Sequence, residues 1–167
     1  MLQSLDDIRE TALARVRCMG VGKGALPTFG YSEQSGRMHI EIDGDGYHYV
    51  GCERGSELER RTTTDLEALL YWICSDVAFG MGVAYEFARR DPAKDCRRMI
   101  FARQTELLGQ ISPQWAERCA QEQALTLQKN PYDDLAGLRA TLTRTLREKG
   151  DTQAQAWQAA LAQYPMP

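Results

Sequence analysis

This sequence of 167 residues has no excess of basic residues, only two histidines and no closely spaced pair of cysteines. The 20 lysines and arginines are outnumbered by 23 acidic residues, which gives a formal net charge of −3. A chain without a basic excess lacks the electrostatic footprint of a general nucleic-acid-binding protein. We therefore predict that nucleic acid is not its partner.

The five cysteines are too isolated to indicate a disulfide framework or a zinc site. They stand 22 to 34 residues apart, and no two of them form a CxxC pair. An odd number of widely spaced cysteines is typical of reduced thiols. We predict that most of them are buried in a cytoplasmic protein. They are Cys18, Cys52, Cys74, Cys96 and Cys119.

Only two histidines, His39 and His48, are available for catalysis or metal binding. A serine or cysteine nucleophile needs a basic partner such as histidine, and the sequence has no GxSxG motif. Its many carboxylates offer numerous acid–base pairs, and no pattern singles out one of them. We therefore predict no catalytic residue, no cofactor and no enzymatic activity.

Two segments with alternating apolar residues predict a β-hairpin. RMHIEI (37–42) and YHYVGCE (47–53) flank the residues DGDG, a strong turn signal. The alternation assigns one face of the hairpin to the core, namely Met38, Ile40, Ile42, Tyr47 and Tyr49. The opposite face carries Arg37, His39, Glu41, His48, Val50 and Cys52.

This opposite face is the best candidate for a metal site. It presents nitrogen, oxygen and sulfur donors of the kinds that zinc accepts. Four ligands on one flat ribbon seldom form a tetrahedron, so we predict no metal. A small metal-dependent hydrolase that uses the His39/His48 face is kept as the second alternative function.

The remaining signals predict one α+β domain spanning residues 1–167. ELERRT (57–62) follows a turn at Arg54-Gly55 and predicts a third strand. The fold is then a small antiparallel β-meander of about three strands, packed on a mainly α-helical bundle with a central apolar helix. The predicted helices are 5–18, 65–90, 93–109, 113–129 and the C-terminal helices within 135–163. Ser4 is the predicted N-cap of the first helix, Ser112 that of the helix 113–129, and Asp151 that of the last helix.

The central helix has a clear predicted start and two unusual glycines. Thr64-x-x-Glu67 has the form of a capping box, in which each side chain satisfies a free backbone N–H. Gly80 and Gly82 weaken an isolated helix, so we expect them to allow close approach of a neighbouring element or a kink.

The same helix also requires a membrane check. Residues 68–85 are long and apolar enough to approach the lower limit for crossing a bilayer. Asp76 lies near the middle of the segment, where a carboxylate costs about 2.5–3.5 kcal/mol on insertion scales. We therefore predict a helix buried in a soluble core and no membrane partner.

Charge is distributed unevenly along the chain. Between Glu41 and Glu67 there are eight acids and three arginines, a net charge of −5. Such an edge attracts a basic partner and speeds its association, although solubility alone explains an acidic surface equally well. The candidate partner-binding residues are Asp43, Asp45, Glu53, Glu57, Glu59, Arg54 and Arg60.

The arginines of this segment have an alternative role inside the fold. Arg54, Arg60 and Arg61 are placed to form ion pairs with the neighbouring glutamates. These pairs are expected to hold the third strand against the central helix. The expected glutamate partners are Glu53, Glu57 and Glu59.

Four stretches of the sequence resemble the immunity protein 63 family of bacterial polymorphic toxin systems. They cover about residues 26–134, and GYHYV-x-CERG-x-ELERRTT is the most specific of their patterns. The stretches are LPTFGYS (26–32), HIEIDGDGYHYVGCERGSELERRTTTDLEALLYWI (39–73), RRMIFARQTELLGQISPQWAERC (97–119) and NPYDD (130–134).

This resemblance implies a small cytoplasmic antidote that binds and blocks a co-encoded toxin domain, commonly a nuclease. No catalytic residue belongs to that role, so none is carried over from the family. A non-enzymatic cytoplasmic adaptor or regulator is the first alternative. The two hypotheses differ in genetic context, because an immunity protein is expected directly downstream of a large modular toxin.

Overall fold

The computed structural model describes residues 2–167 and has an α+β fold, which confirms the predicted fold class. Within these residues six helices accompany one four-stranded sheet. The strands are β1 (Thr28–Phe29), β2 (Ser35–Asp43), β3 (Gly46–Glu53) and β4 (Ser56–Thr63). The helices are α1 (Leu5–Cys18), α2 (Leu66–Phe87), α3 (Cys96–Gly109), α4 (Pro113–Lys129), α5 (Ala136–Glu148) and α6 (Gln153–Gln163).

The sheet is mixed, with the strand order β1-β2-β3-β4. Strands β2, β3 and β4 form the predicted antiparallel meander. The β3–β4 turn lies at Arg54 and Gly55 as predicted, and both residues have the positive φ angles that two-residue hairpin turns require. The short strand β1 was not predicted, and it pairs with β2 in parallel through Thr28 and His39.

The register of the hairpin places the predicted apolar face toward the core. Ile40 lies opposite Tyr49, and Ile42 lies opposite Tyr47. Ile40, Tyr47 and Tyr49 are buried, whereas Met38 and Ile42 are half-buried against the same cluster. We call this the inner face of the sheet, and the prediction of its five residues is confirmed.

Helix α2 packs on the inner face, with α1 and α3 as its helical neighbours. The helix begins at Leu66, one residue later than predicted, so the prediction of a capping box with Thr64 as the N-cap was wrong. Asp65 is the N-cap, because its carboxylate accepts the backbone N–H of Glu67 at 2.9 Å. Thr63 in turn accepts the N–H of Asp65, so the end of β4 and the start of α2 form one turn.

By length and composition alone, α2 could cross a membrane, a test that the core helix of a soluble protein also passes. Its first half is buried in the core, where Leu69, Leu70 and Ile73 are fully inaccessible. Its second half is more open, since Phe79 is 42% and Phe87 is 74% exposed. Burial is therefore concentrated in the first half of the helix, although Glu67 and Asp76 are exposed even there.

The two glycines of α2 have different surroundings. A Cβ atom on Gly82 would lie 2.8 Å from the backbone oxygen of Ile100, so α3 approaches the helix closely there, as predicted. A Cβ atom on Gly80 would meet nothing within 4 Å. Close packing against α3 therefore explains why residue 82 is a glycine, but it does not explain the glycine at position 80.

The other helix starts follow the expected capping chemistry with small shifts. Ser4 and Ser112 cap α1 and α4 as the sequence predicts. Helix α3 begins at Cys96 with Asp95 as its cap, three residues after the predicted start. Thr152 caps α6 in a capping box with Gln155, so the prediction of Asp151 as the cap was wrong.

The segment 130–134 docks on the start of α3 and connects α5 and α6 to the rest of the fold. Arg97 donates to the carbonyl oxygens of Asn130 and Pro131, at 2.9 and 2.7 Å. The carboxylate of Asp95 accepts the backbone N–H of Asp133 at 2.8 Å, and Arg98 pairs with Asp134. The two later stretches of the family resemblance are therefore in direct contact.

The cysteines are less buried than the sequence analysis predicts. All five are free thiols, and only Cys74 and Cys119 are buried. Cys18 and Cys96 are exposed, and Cys52 is intermediate. The prediction of mostly buried thiols was wrong because Cys18 and Cys96 occupy solvent-facing positions at helix ends.

The glycine pair predicts opposite effects of one substitution. Gly82→Ala pushes a methyl group against the α3 backbone, so we expect it to lower the free energy of unfolding by about 1–3 kcal/mol. Gly80→Ala adds helix propensity without a clash, so we expect a gain of up to about 1 kcal/mol. Urea denaturation of the two variants and the wild type measures both. A Gly82→Ala protein as stable as Gly80→Ala would contradict the close approach.

Asp95 predicts a loss of stability in acid. Hydrogen bonds from Arg97 hold its pKa at about 2, below the ordinary 3.8, and the N–H groups of Asp133 and Arg97 act in the same direction. A lowered folded-state pKa stabilises the protein above pH 4, and this contribution is lost as the pH falls from about 4 to 2. We expect Asp95→Asn to remove up to about 2 kcal/mol at pH 7 and to flatten this part of the pH profile.

Urea denaturation between pH 2 and 7 measures this effect. Asp151→Asn is the matched control, because Asp151 is an exposed carboxylate outside the contact. Equal pH profiles for the wild type and Asp95→Asn would show that the Asp95 interactions do not stabilise the fold.

Candidate functional site

The face of the sheet turned away from α2, here called the outer face, carries most of the candidate functional residues. The cross-strand register aligns His39 with Val50 and Arg60, and Glu41 with His48 and Thr62. The first of these rows is covered so well that His39 is only 2% exposed and Val50 is inaccessible. Val50 lies outside the apolar core cluster, and its cross-strand neighbours are the polar residues His39 and Arg60.

A chain of hydrogen-bonded charges crosses the outer face from β2 to β4. Nε2 of His39 lies 3.0 Å from the carboxylate of Glu41. Arg60 donates to Glu41 at 3.0 Å and to Glu57 at 2.8 Å. The contact with His39 is the main cause that lowers the pKa of Glu41, and Arg60 lowers the pKa of Glu57. These charges therefore form an internally satisfied network.

His48 forms a second and separate pair. Its Nδ1 lies 2.9 Å from the hydroxyl of Thr62, and its Nε2 lies 2.8 Å from the carboxylate of Asp43. The hydrogen bond with His48, followed by one from the backbone N–H of Asp45, lowers the pKa of Asp43. Both nitrogens of this buried ring are occupied by protein partners.

The proposed metal ligands do not converge. His39 is bound to Glu41 and His48 to Asp43, while Cys52 lies across from Glu57. Within residues 2–167 no group of three or more His, Cys, Asp or Glu side chains is arranged to hold a metal ion. The geometry does not favour the second alternative, a metal-dependent hydrolase on this face.

One nitrogen of the outer face needs an explanation. Nδ1 of His39 is buried, and no hydrogen-bond partner for it lies among residues 2–167. A tautomer with its proton on Nε2 donates to Glu41 and leaves only a lone pair on Nδ1. We assign this tautomer because it avoids an unpaired buried N–H, the costlier arrangement.

The candidate acidic residues do not form one patch. Asp43 and Asp45 lie at the β2–β3 turn, whereas Glu53 lies at the β3–β4 turn. The eight residues of β3 separate these turns by about 25 Å. Glu57 and Glu59 lie on opposite faces of β4, so their clustering in sequence does not persist in space.

All three predicted arginine–glutamate ion pairs are present. Arg54 lies 3.8 Å from Glu53, which is a loose and exposed contact. The closer pairs are Arg60–Glu57 at 2.8 Å and Arg61–Glu59 at 2.6 Å. Only Arg61 reaches the central helix, where it lies over the Trp72 ring at 5.9 Å. The three arginines were expected to hold β4 against α2, and only Arg61 contacts that helix.

Strand β4 forms one edge of the sheet and is exposed along most of its length. Charged side chains on an edge strand discourage pairing with other sheets. At the irregularity that separates Gly51 from Cys52 in the register, Leu58 has no cross-strand partner and is 63% exposed. Sequence analysis did not single out Leu58, although an apolar residue within SELERRTT was a visible signal.

The comparison with family models identifies the segment that contains these features. The model of the family described as Immunity protein 63 matches residues 43–124. This segment, just under half of the chain, is similar to the immunity protein 63 family. The match begins at the β2–β3 turn and continues through β3, β4, α2 and α3 into α4, which confirms the resemblance noted in the sequence.

No curated protein and no solved structure matches the chain. The immunity protein 63 match, over 82 of the 167 residues, therefore supports a family relationship for that segment. It includes His48, Cys52 and the whole of β4, but His39 and Glu41 precede it. The outer-face network is thus assembled partly from residues outside the matched segment.

The separation of the two histidine pairs predicts that the protein does not retain zinc. After dialysis against zinc and then buffer, elemental analysis is expected to find far less than one equivalent of metal. His48→Ala serves as the control for a histidine-dependent signal. One retained equivalent that disappears in His48→Ala would restore the metal hypothesis.

Proposed function

We propose that this protein is an immunity protein that binds a co-encoded bacterial toxin domain in the cytoplasm and blocks its activity during interbacterial competition. The family match over residues 43–124 is the observation that carries the proposal. Immunity proteins are generally not enzymes, and the paired histidines of the outer face are consistent with a binding role. The proposed partner is a protein, with a nuclease domain as the favoured class.

Charge supports a basic toxin surface as the target. The acidic residues at the two turns and along β4 are mostly exposed, and they lie on three adjoining elements of the sheet. A negative potential over the sheet attracts a basic nuclease cleft and raises the association rate. Because the charges are distributed, we propose that they act mainly by steering. The proposed contact residues remain Asp43, Asp45, Glu53, Glu57, Glu59, Arg54 and Arg60.

Co-expression tests the function directly. The product of the gene immediately upstream is expressed with and without this protein, and the two are then co-purified through a tag on one of them. We expect growth arrest without the immunity protein, survival with it and a stable complex. Survival in both cases, or no complex, would contradict the proposal and leave the adaptor hypothesis as the next explanation.

The arrangement of β4 predicts that Glu57 and Glu59 differ in their effect on toxin binding. Glu57→Lys reverses a charge on the outer face, so we expect association to slow severalfold and to lose part of its salt dependence. Glu59→Lys changes the inner side of β4 and additionally breaks the pair with Arg61. Stopped-flow association with the toxin domain measures both variants.

Glu117→Lys on α4 is the control, because it changes net charge equally at an exposed site away from the sheet. Circular dichroism confirms that each variant is folded, since loss of an exposed ion pair costs only about 0–1 kcal/mol. Equal association rates for Glu57→Lys and Glu117→Lys would show that the outer face does not steer the toxin.

A further inference from the structure

A groove lies beside α2 on the inner-face side of the sheet, at the opposite side from the charge network. Its volume is about 390 Å³. Tyr49 and Asp76 contribute the polar part of its lining, with Arg37 at one side. The apolar walls consist of Leu26, Pro27, Met38, Gly80, Met81 and Ala84. We call this feature the α2 groove.

Gly80 keeps the α2 groove open. Because a Cβ atom there would meet nothing within 4 Å, the residue borders free space rather than a packed neighbour. Phe79, Val83 and Phe87 recur on the same half of α2 at a spacing of four residues and are exposed, although none of them lines the groove itself. Exposed apolar side chains that cluster in this way often mark interaction sites.

Asp76 gives the α2 groove a charge requirement. Its carboxylate accepts a hydrogen bond from the hydroxyl of Tyr49 at 2.8 Å. No ion pair joins it to a Lys, Arg or His side chain within residues 2–167. Partial burial in the groove raises the pKa of Asp76, and the Tyr49 hydrogen bond opposes that rise. Asp76 is nevertheless exposed to solvent, so its carboxylate is accessible to a partner, and a partner that covers it is favoured when it brings a cation.

The two arginines nearest this carboxylate are engaged elsewhere. Arg61 pairs with Glu59 at 2.6 Å and lies over the Tyr49 ring. Arg37 pairs with Glu33 at 3.1 Å and donates to the carbonyl oxygen of Leu26. Arg61 attracts Asp76 at longer range but makes no direct ion pair with it, so the carboxylate remains free to pair directly with a cation from a partner.

We infer that the α2 groove binds a segment of the toxin domain that presents a lysine or arginine between apolar side chains, with the cation paired to Asp76. This inference rests on the proposed function and names a second contact for the same partner. The acidic sheet surface governs the rate of encounter, whereas the groove governs the lifetime of the complex. An ion pair that forms next to buried apolar contacts mainly slows dissociation.

Two substitutions test the groove without removing a core side chain. Gly80→Leu fills it from a helix position that has free space and gains helix propensity. Asp76→Asn keeps an acceptor for Tyr49 and removes the charge. Ala120→Leu, at an exposed position of α4, is the control for an added leucine. Thermal unfolding of each variant verifies that the fold is intact.

The probe is an inactivated form of the toxin domain encoded immediately upstream, and biolayer interferometry measures its binding. We expect Gly80→Leu and Asp76→Asn each to weaken binding tenfold or more through faster dissociation, with Ala120→Leu unchanged. Wild-type affinity in both groove variants would overturn the groove inference and leave the proposed function intact. No binding by the wild type would instead overturn the proposed function and the inference together.

Light scattering of the protein alone tests whether a second copy of the protein, rather than the toxin segment, occupies the α2 groove. If the wild type is a dimer and Gly80→Leu is a monomer, a second copy fills the groove and the toxin-segment inference is wrong. A monomer in both cases, together with weakened toxin binding, supports the toxin segment.

Discussion

The packing of α2 against the inner face of the sheet and against α3 is the constraint on which the rest of the structure depends. Each fully buried aliphatic side chain in this interface contributes about 1.5–3 kcal/mol, and Leu69, Leu70 and Ile73 are fully inaccessible. The contact also requires the bare backbone of Gly82 under Ile100. Because α2 occupies the inner face, the opposite face of the sheet turns toward solvent.

That outer face explains why residues of catalytic type belong to a protein with a proposed binding role. His39 and Val50 are buried on this face, and Arg60 bonds to Glu41 and Glu57 beside them. The charged side chains that could have indicated a catalytic site are instead hydrogen-bonded to each other. The similarity of residues 43–124 to the immunity protein 63 family agrees with this arrangement, since the proposed binding role needs a stable surface and no reactive group.

The two proposed contact regions differ in physical character and in what they do for a complex. Exposed charge acts over roughly 8–10 Å at physiological ionic strength and therefore influences encounter. The α2 groove acts only at contact, through apolar burial and the carboxylate of Asp76. Apart from Glu59, which lies on the inner side of β4 and pairs with Arg61, the two regions lie on opposite sides of the sheet, so each can be changed without disturbing the other.

The sequence by itself determined the elements that arise from local chemistry. Alternation set the inner face of the hairpin, Ser4 and Ser112 marked helix starts, and nearby opposite charges set the three ion pairs. Only the tertiary structure decided the parallel pairing of β1, the separation of the acidic residues and the exposure of Phe79 and Phe87. A 22-residue helix is about 33 Å long and outreaches eight-residue strands of about 26 Å, so the sheet leaves the last turns of α2 uncovered.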